Sequence, residues 1–472
     1  MTVGTIRVDG VATGLNTTAL IDEMVAAQSR YKTRLQARSA QITDLASRYS
    51  TLNTRLSSLD SALAAIEDVS DFRSFTATAP STAPYSITAD GDAVAGSYPI
   101  TINALAKAQM DKFSLSDLAV SGEFSSKTTA IFSAGEAGTL TFSVNGTDTD
   151  IDVDDTTTLS QLASLINDVD GISAYVVQTA TEAATGSDAF SLIIQADDSG
   201  EYQGGSRYTI TSSLTAGQTA SLDNTQAATN ARITVAGTNI ESASNTITAI
   251  DGLTIVANDT GSATATVSLD TTAMANKVQD VVNAYNAVRS FISTNSTTSS
   301  SGTNQTSVNL GAFVGESAPR MILQRLSSLI SHDYASDLGL SQSTDRTALS
   351  QLGISTQQSG LLSFSSATFI EQLGSYQDNI EELFSDTAGS FSAAMREQLD
   401  EFTGSSGSLQ SLQTSLTNEN TRVERALDYE EARLTKYRSR LEYQFNQLES
   451  ITSMFSSSGS FLTSFFAPQA SN

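Results

Sequence analysis

A heptad stripe near the N-terminus constrains this chain more than any other feature. Alternating steps of three and four residues from Ile21 reach Met24, Gln28, Tyr31, Leu35, Arg38, Ile42, Leu45, Tyr49, Leu52, Leu56, Leu59, Leu63 and Ile66. Twelve of these fourteen positions are apolar, and no Pro or Gly interrupts them. The spacing predicts one long helix with a narrow apolar seam, the coiled-coil pattern. At 1.5 Å per residue it would run for roughly 70 Å. A helix cannot bury its own seam, so this one requires a partner. Gln28 and Arg38 are the polar seam positions, where such residues can set register.

The C-terminal end offers that partner. Val423, Leu427, Leu434, Tyr437, Leu441, Leu448, Ile451 and Phe455 lie on a similar stripe, with Glu430 and Gln444 as polar exceptions. The run SSSGS at 456–460 is expected to break the helix. Beyond it, Phe461, Leu462, Phe465 and Phe466 form an apolar tail that needs cover from another segment or another chain.

Charge separates the ends from the middle. The chain of 472 residues has a formal net charge of −26. Residues 21–66 nevertheless carry six basic and four acidic side chains, and residues 421–455 six of each. The ends can therefore pack without strong repulsion while the middle stays solvated. Such an acidic chain is a poor partner for nucleic acid or anionic lipid. No apolar run is long enough for a membrane-inserted helix. MTVGTIRVDGVATGL lacks the pattern of a cleaved secretory signal, so any export is expected to proceed without one.

From about Phe72 to Asp270 the pattern turns to short strands and turn residues. Asn145-Gly146 and Asp251-Gly252 read as hairpin or bulge turns. Residues 138–177 read as a hairpin, an acidic turn, a short helix with Leu159, Leu162, Leu165 and Ile166, and a strand. A shorter relative of that unit is expected at 231–256. Helical periodicity returns after 271, interrupted by a polar low-complexity loop at 293–307. The fold class is thus α+β multidomain: a helical coiled-coil leg formed by both termini plus a helix bundle, with inserted β-rich head domains. The expected division is 1–41 with 421–472 as terminal leg, 42–70 with 271–420 as leg body, 71–130 with 231–270 as first head domain, and 131–230 as the second.

Catalytic machinery is not visible. There is no Cys, and His332 is the only histidine. Thiolate catalysis, disulfides, His-based dyads within one chain and multi-His metal sites are excluded. Neither a Walker-type loop, a GxGxxG run nor a GxSxG elbow occurs. The string DTDIDVDD at 148–155 has carboxylates enough to raise calcium. It lacks the EF-hand Gly and terminal Glu, and its alternation fits a solvated strand edge. No cofactor is expected.

Several motifs then resemble the flagellar filament-capping family, the flagellar hook-associated protein 2 family. They are VDGVATGLNTTALIDEMVAAQ (8–28), AGSYPITINALAKAQ (95–109), LSQLGISTQQSGLLSF (349–364) with IEELF (380–384), and LEYQFNQLESITSMFSSSGSFLTSFF (441–466). VQDVVNAYNAV (278–288) also fits, and 138–177 is similar to an insert shared with flagellins. The resemblance implies a ring-shaped homo-oligomer of four to six subunits at the distal tip of the flagellum. It also implies export through the flagellar type III system, contact with flagellin during its folding and polymerisation, and shielding by an export chaperone beforehand. Leu448, Ile451, Phe455, Phe461, Leu462, Phe465 and Phe466 are the candidate chaperone or filament contacts, with plain coiled-coil packing as the alternative. Flagellin or a hook–filament junction protein, and a secreted adhesin with a coiled-coil stalk, are the rival readings.

Overall fold

A computed structural model of the chain describes residues 16–118, 121–181, 188–215, 217–301, 307–342 and 344–466. The opening residues 8–15 of the first family-like motif lie outside them. Two compact units result: Met1–Asp68 with Ala275–Asn472, and Val69–Met274.

The helices in chain order are α1 (Thr17–Gln28), α2 (Arg30–Ala64), α3 (Val69–Phe72), α4 (Leu159–Ile166), α5 (Thr271–Ser296), α6 (Ser317–Ile330), α7 (Ala335–Leu338), α8 (Ser366–Phe384), α9 (Phe391–Thr403) and α10 (Ser408–Phe466). The N-terminal stripe is thus two helices. At Ser29 the backbone N–H and the hydroxyl both return to the Ala26 carbonyl, closing α1 before α2 starts. Ser competes for backbone carbonyls in this way, a local effect that heptad spacing does not report. The division expected at 41/42 falls inside α2, and Ile66 lies just past its end, fully buried.

The expected break at 456–460 does not occur, because α10 continues through SSSGS to Phe466. A single Gly costs a helix about 1 kcal/mol and does not end it. Here the hydroxyls of Ser460 and Thr463 donate back to the carbonyls of Ser456 and Gly459, one turn earlier. The polar loop expected at 293–307 is also partly regular. Helix α5 runs to Ser296, and Thr298–Ser301 pairs antiparallel with Ser307–Leu310.

In this first unit the core is helical. Tyr49, Leu52, Leu56, Leu59 and Leu63 of α2 are almost wholly buried, as are Val278, Tyr285 and Val288 of α5 and Leu399 and Phe402 of α9. Arg396 of α9 binds both Asp60 and Glu67. A short hairpin, Ile354–Thr356 with Leu362–Phe364, is held by Asn286, whose amide exchanges hydrogen bonds of 2.7 and 2.9 Å with the Leu362 backbone.

The second unit is antiparallel β. Its strands are β1 (Phe75–Thr78), β2 (Tyr85–Ala89), β3 (Gly96–Ala104), β4 (Ala108–Leu115), β5 (Ala137–Val144), β6 (Thr147–Asp154), β7 (Ile172–Ala180), β8 (Ala189–Ser199), β9 (Tyr208–Leu214), β10 (Ala220–Gln226), β11 (Ala231–Val235), β12 (Thr238–Ser242), β13 (Thr246–Ile250), β14 (Leu253–Ala257) and β15 (Gly261–Leu269). A sheet β1-β15-β3-β11-β12 and a sheet β13-β14-β2 share one core around Ile100, Ile233, Ile255 and Val267. Sheets β10-β4-β8-β7 and β6-β5-β9, with α4, enclose a second core around Phe113, Leu140, Phe142, Leu162 and Leu192.

The second core therefore takes in Phe113, Leu115 and Phe124, ahead of the expected boundary at 131. Strand β4 has no exposed position and its buried residues begin with the polar Gln109 and Asp111, so nothing local tells which core it meets. The unit at 138–177 folds as hairpin β5–β6, helix α4 and strand β7. Asn145 and Gly146 both take positive φ in its turn, as a two-residue type I′ hairpin requires. Thr158 and Gln161 form a reciprocal capping box at the start of α4. Residues 231–256 share only the hairpin theme and contain no helix.

Candidate assembly interface

The candidate site is the surface where α1 and α2 meet α10. Helix α1 begins at Asn16, whose side-chain oxygen accepts from the Ala19 N–H at 2.9 Å. Charged flanks then fix the register against α10. Asp22 pairs with Arg438 at 2.6 Å, Lys32 with Glu431 at 2.9 Å, and Arg38 with Glu419 at 2.5 Å. Ser39 adds a hydrogen bond to Asn420 at 2.9 Å. As one number rises the other falls, so the helices are antiparallel. Where α1 ends, the helices enclose a groove of ≈ 450 Å³ lined by Val25, Ala26, Ser29, Lys32, Leu434 and Arg438, among others.

Burial along the seam is graded. Ile21, Ile42, Tyr49, Leu52, Leu56, Leu59, Leu63 and Ile66 are buried, and so are Leu434 and Leu441 on the facing helix. Leu35, Leu45, Val423, Leu427 and Tyr437 are half-buried. Met24 and Tyr31 remain exposed, as do Gln28 and Arg38. Arg38 links the helices from the flank rather than from within the seam. Glu430, a polar exception on the α10 stripe, is buried and gripped by both arms of Arg433 at 2.7 and 2.8 Å. The Arg433 hydrogen bonds pull its carboxyl below the ordinary Glu value.

The flank pairing places the start of α1 level with roughly residue 443, so α10 continues past it for about 35 Å. On that stretch Leu448 and Ile451 are about half exposed, Phe455 and Phe461 largely so, and Leu462 more than half. Met454 and Tyr443, which the heptad stripe leaves out, are exposed as well. The side chains of Phe465 and Phe466 lie outside the described residues, though both belong to α10.

Elsewhere the chemistry is sparse. His332 binds Asp337 at 2.6 Å on an exposed surface. The acidic strand β6 turns Asp148, Asp150, Asp152 and Asp154 outward while Ile151 and Val153 enter the core. Thr141 donates to Asp150, and Thr156 and Thr157 donate to Asp154. Among the described residues no group of three or more His, Cys, Asp or Glu side chains is placed to hold a metal ion.

Helical segments from both ends of the chain thus pack antiparallel and enclose a β-rich insert in sequence. The crystal structure of the D1-D2-D3 domains of the flagellar cap protein FliD from Escherichia coli shares the fold. Its TM-score is 0.61 at 23% identity, over 78% of this chain and 99% of that one. The family models for the N-terminus and C-terminus of flagellar hook-associated protein 2 match residues 13–109 and 228–457, and the flagellin hook IN motif matches 139–187. Flagellar hook-associated protein 2 of Escherichia coli K12 is 27% identical over 74% of this chain and 74% of its own. That of Aeromonas caviae is 26% identical over 78% and 77%. The chain belongs to the flagellar hook-associated protein 2 family, whose members cap the flagellar filament and are structural proteins.

Proposed function

We propose that this chain assembles as a ring of four to six copies at the distal tip of the flagellar filament. There it holds incoming flagellin while it folds and polymerises, and keeps unpolymerised flagellin from escaping. The carrying observation is the exposed apolar stretch from Leu448 to Leu462 of α10, together with a seam that α1 and α2 cover only in part. Burying a few hundred Å² of that surface, at about 25 cal/mol per Å², gives several kcal/mol per leg before ordering costs. In this reading the surface is shielded by an export chaperone before secretion through the flagellar type III route, and seats on flagellin or sister subunits afterwards. Contacts that are individually modest suit a cap that must shift along its lattice without detaching.

Deleting the gene in a strain with intact flagellin tests the reading. Monomeric flagellin should accumulate in the medium and filaments should be missing, with rings of the purified protein seen by electron microscopy. Filaments of normal length in the deletion strain would overturn it.

A further inference from the structure

The second core carries two very different sheet edges. Strand β6 ends one sheet, and its outward row is four aspartates. Unpaired edges are commonly protected by such charge. Strand β7 ends the other sheet, and its nine residues, ISAYVVQTA, contain no charge and no Pro. Tyr175 and Val177 stand exposed on its outer face.

Part of the β7 edge is already closed. The Asn167 side chain accepts from the Ala174 N–H at 2.7 Å and donates to the Ala174 carbonyl at 2.9 Å, standing in for a neighbouring strand. Ala174 therefore points its backbone groups away from β8. By the two-residue period of an antiparallel ladder, Val176 and Gln178 do the same, while Tyr175 and Val177 bond to β8. Both lie in the regular stretch of the β7–β8 register, before its irregularity at Gln178/Ala180. Among the described residues no strand pairs with them on that side.

We propose that this edge pairs with the β7 edge of a second copy, antiparallel and about a two-fold axis at Val177. The other described edges of the β unit are poorer partners. Strand β6 is acidic, β12 carries Glu241, β1 is four residues long and packs beside β2, β13 is interrupted by a register shift, and β9 packs beside β10. A second β7 brings no charge to the contact, which matters for a chain of net charge −26. The two-fold puts Val176 against Gln178 of the partner subunit twice over, giving about four backbone hydrogen bonds. Val177 meets its own copy across the axis, a β-branched pair of the kind that stabilises sheets. Asn167 stops the ladder at Ala174, so the contact is short and weak alone. A two-fold contact cannot relate neighbours around a cyclic ring, so it joins copies of two different rings, each of which, on the cap reading on which this inference rests, presents several such edges at once.

Amide hydrogen exchange of the full chain across protein concentration is the test. Val176 and Gln178 should slow by about tenfold as concentration rises, while Tyr175 and Val177 stay protected throughout. Val177→Lys should abolish the concentration effect, and Val176→Pro, which removes an N–H the fold does not use, should remove association through this edge. Unchanged melting curves would show both variants folded. Exchange at Val176 and Gln178 that ignores concentration overturns the proposal. So does protection that appears only on adding flagellin, since another chain would then own the edge. Rings that persist in Val177→Lys without the exchange effect leave the cap reading intact and remove only this contact. Wild-type protein with the exchange effect but no rings and no capping role would do the reverse.

Discussion

Arg38 and Glu419 are 381 residues apart in sequence, yet the guanidinium donates two hydrogen bonds to one carboxylate oxygen, 2.5 Å from Nη2 and 3.2 Å from Nε. The pair locks the two ends of the chain into one antiparallel register. Its side chains are 54% and 34% exposed, so solvent screens most of its attraction. Register and stability thus come from different residues: flank pairs select the alignment, and the buried seam beneath supplies the free energy.

That separation predicts a contrast. Arg38→Ala should cost less than about 1 kcal/mol, whereas Leu52→Ala or Leu56→Ala, both at 0% exposure, should cost about 2–5 kcal/mol. Urea unfolding of the three variants measures it. An Arg38→Ala loss as large as that of Leu52→Ala would mean that the ion pair, not the seam, holds the leg.

The far end of α10 should behave oppositely to the seam. Ile451→Ser and Phe455→Ser remove side chains that cover little of their own chain, so each should move stability by no more than about 0.5 kcal/mol. Assembly should suffer instead, read as fewer rings in micrographs and shorter or absent filaments in complemented cells. Variants with unchanged melting and normal filaments would strip this stretch of its proposed role.

Much of the fold was legible because side-chain period is a local property. The 3.5-residue spacing located α2 and α10, and alternation with turn residues located β5, β6 and their Asn145-Gly146 turn. Three features escaped for stated reasons. The stop at Ser29 depends on a hydroxyl and an N–H turning back to Ala26, which no hydropathy pattern encodes. SSSGS looks like a breaker by composition, yet its single Gly costs a helix only about 1 kcal/mol, so α10 continues through it. The membership of Phe113 and Phe124 in the second core depends on which distant strands β4 meets. At the interface, the seam residues could be read from spacing alone. Their graded burial could not, because it is set by how far α9 and its neighbours extend along α2. The Asp22–Arg438 and Lys32–Glu431 pairs become visible only once an antiparallel alignment is assumed.

Acid should loosen the β-rich unit through two carboxylates. Asp270 accepts from the Ala273 N–H at 2.8 Å and from the Thr76 hydroxyl at 2.9 Å. These bonds, the backbone one foremost, hold its pKa below the ordinary Asp value. Asp154 is lowered in the same way, chiefly by the Thr156 hydroxyl. A depressed pKa means the folded state binds fewer protons than the unfolded chain. The stabilisation is therefore complete above the unfolded value, about 4, and is lost as pH falls through the folded one. Melting temperature should decline on acidification through this window, and Asp270→Asn should make the decline shallower. An identical profile for the variant would remove Asp270 from the account.

Two glycines allow backbone strain to be separated from crowding. Gly237 in the β11–β12 turn and Gly252 in the β13–β14 turn have φ of 84° and 71°. A Cβ added at Gly237 would meet nothing within 4 Å, whereas one at Gly252 would lie 2.1 Å from the Ala93 nitrogen. Both alanine variants incur the left-handed penalty of about 1–2 kcal/mol. Only Gly252→Ala must also displace backbone, at a place where the Asp90 N–H bonds the Gly252 carbonyl at 2.9 Å. Gly252→Ala should therefore be the worse variant by at least about 1 kcal/mol, seen as a lower urea midpoint. Equal losses would mean that the 90–93 segment yields freely, and that the turn is not pinned against it.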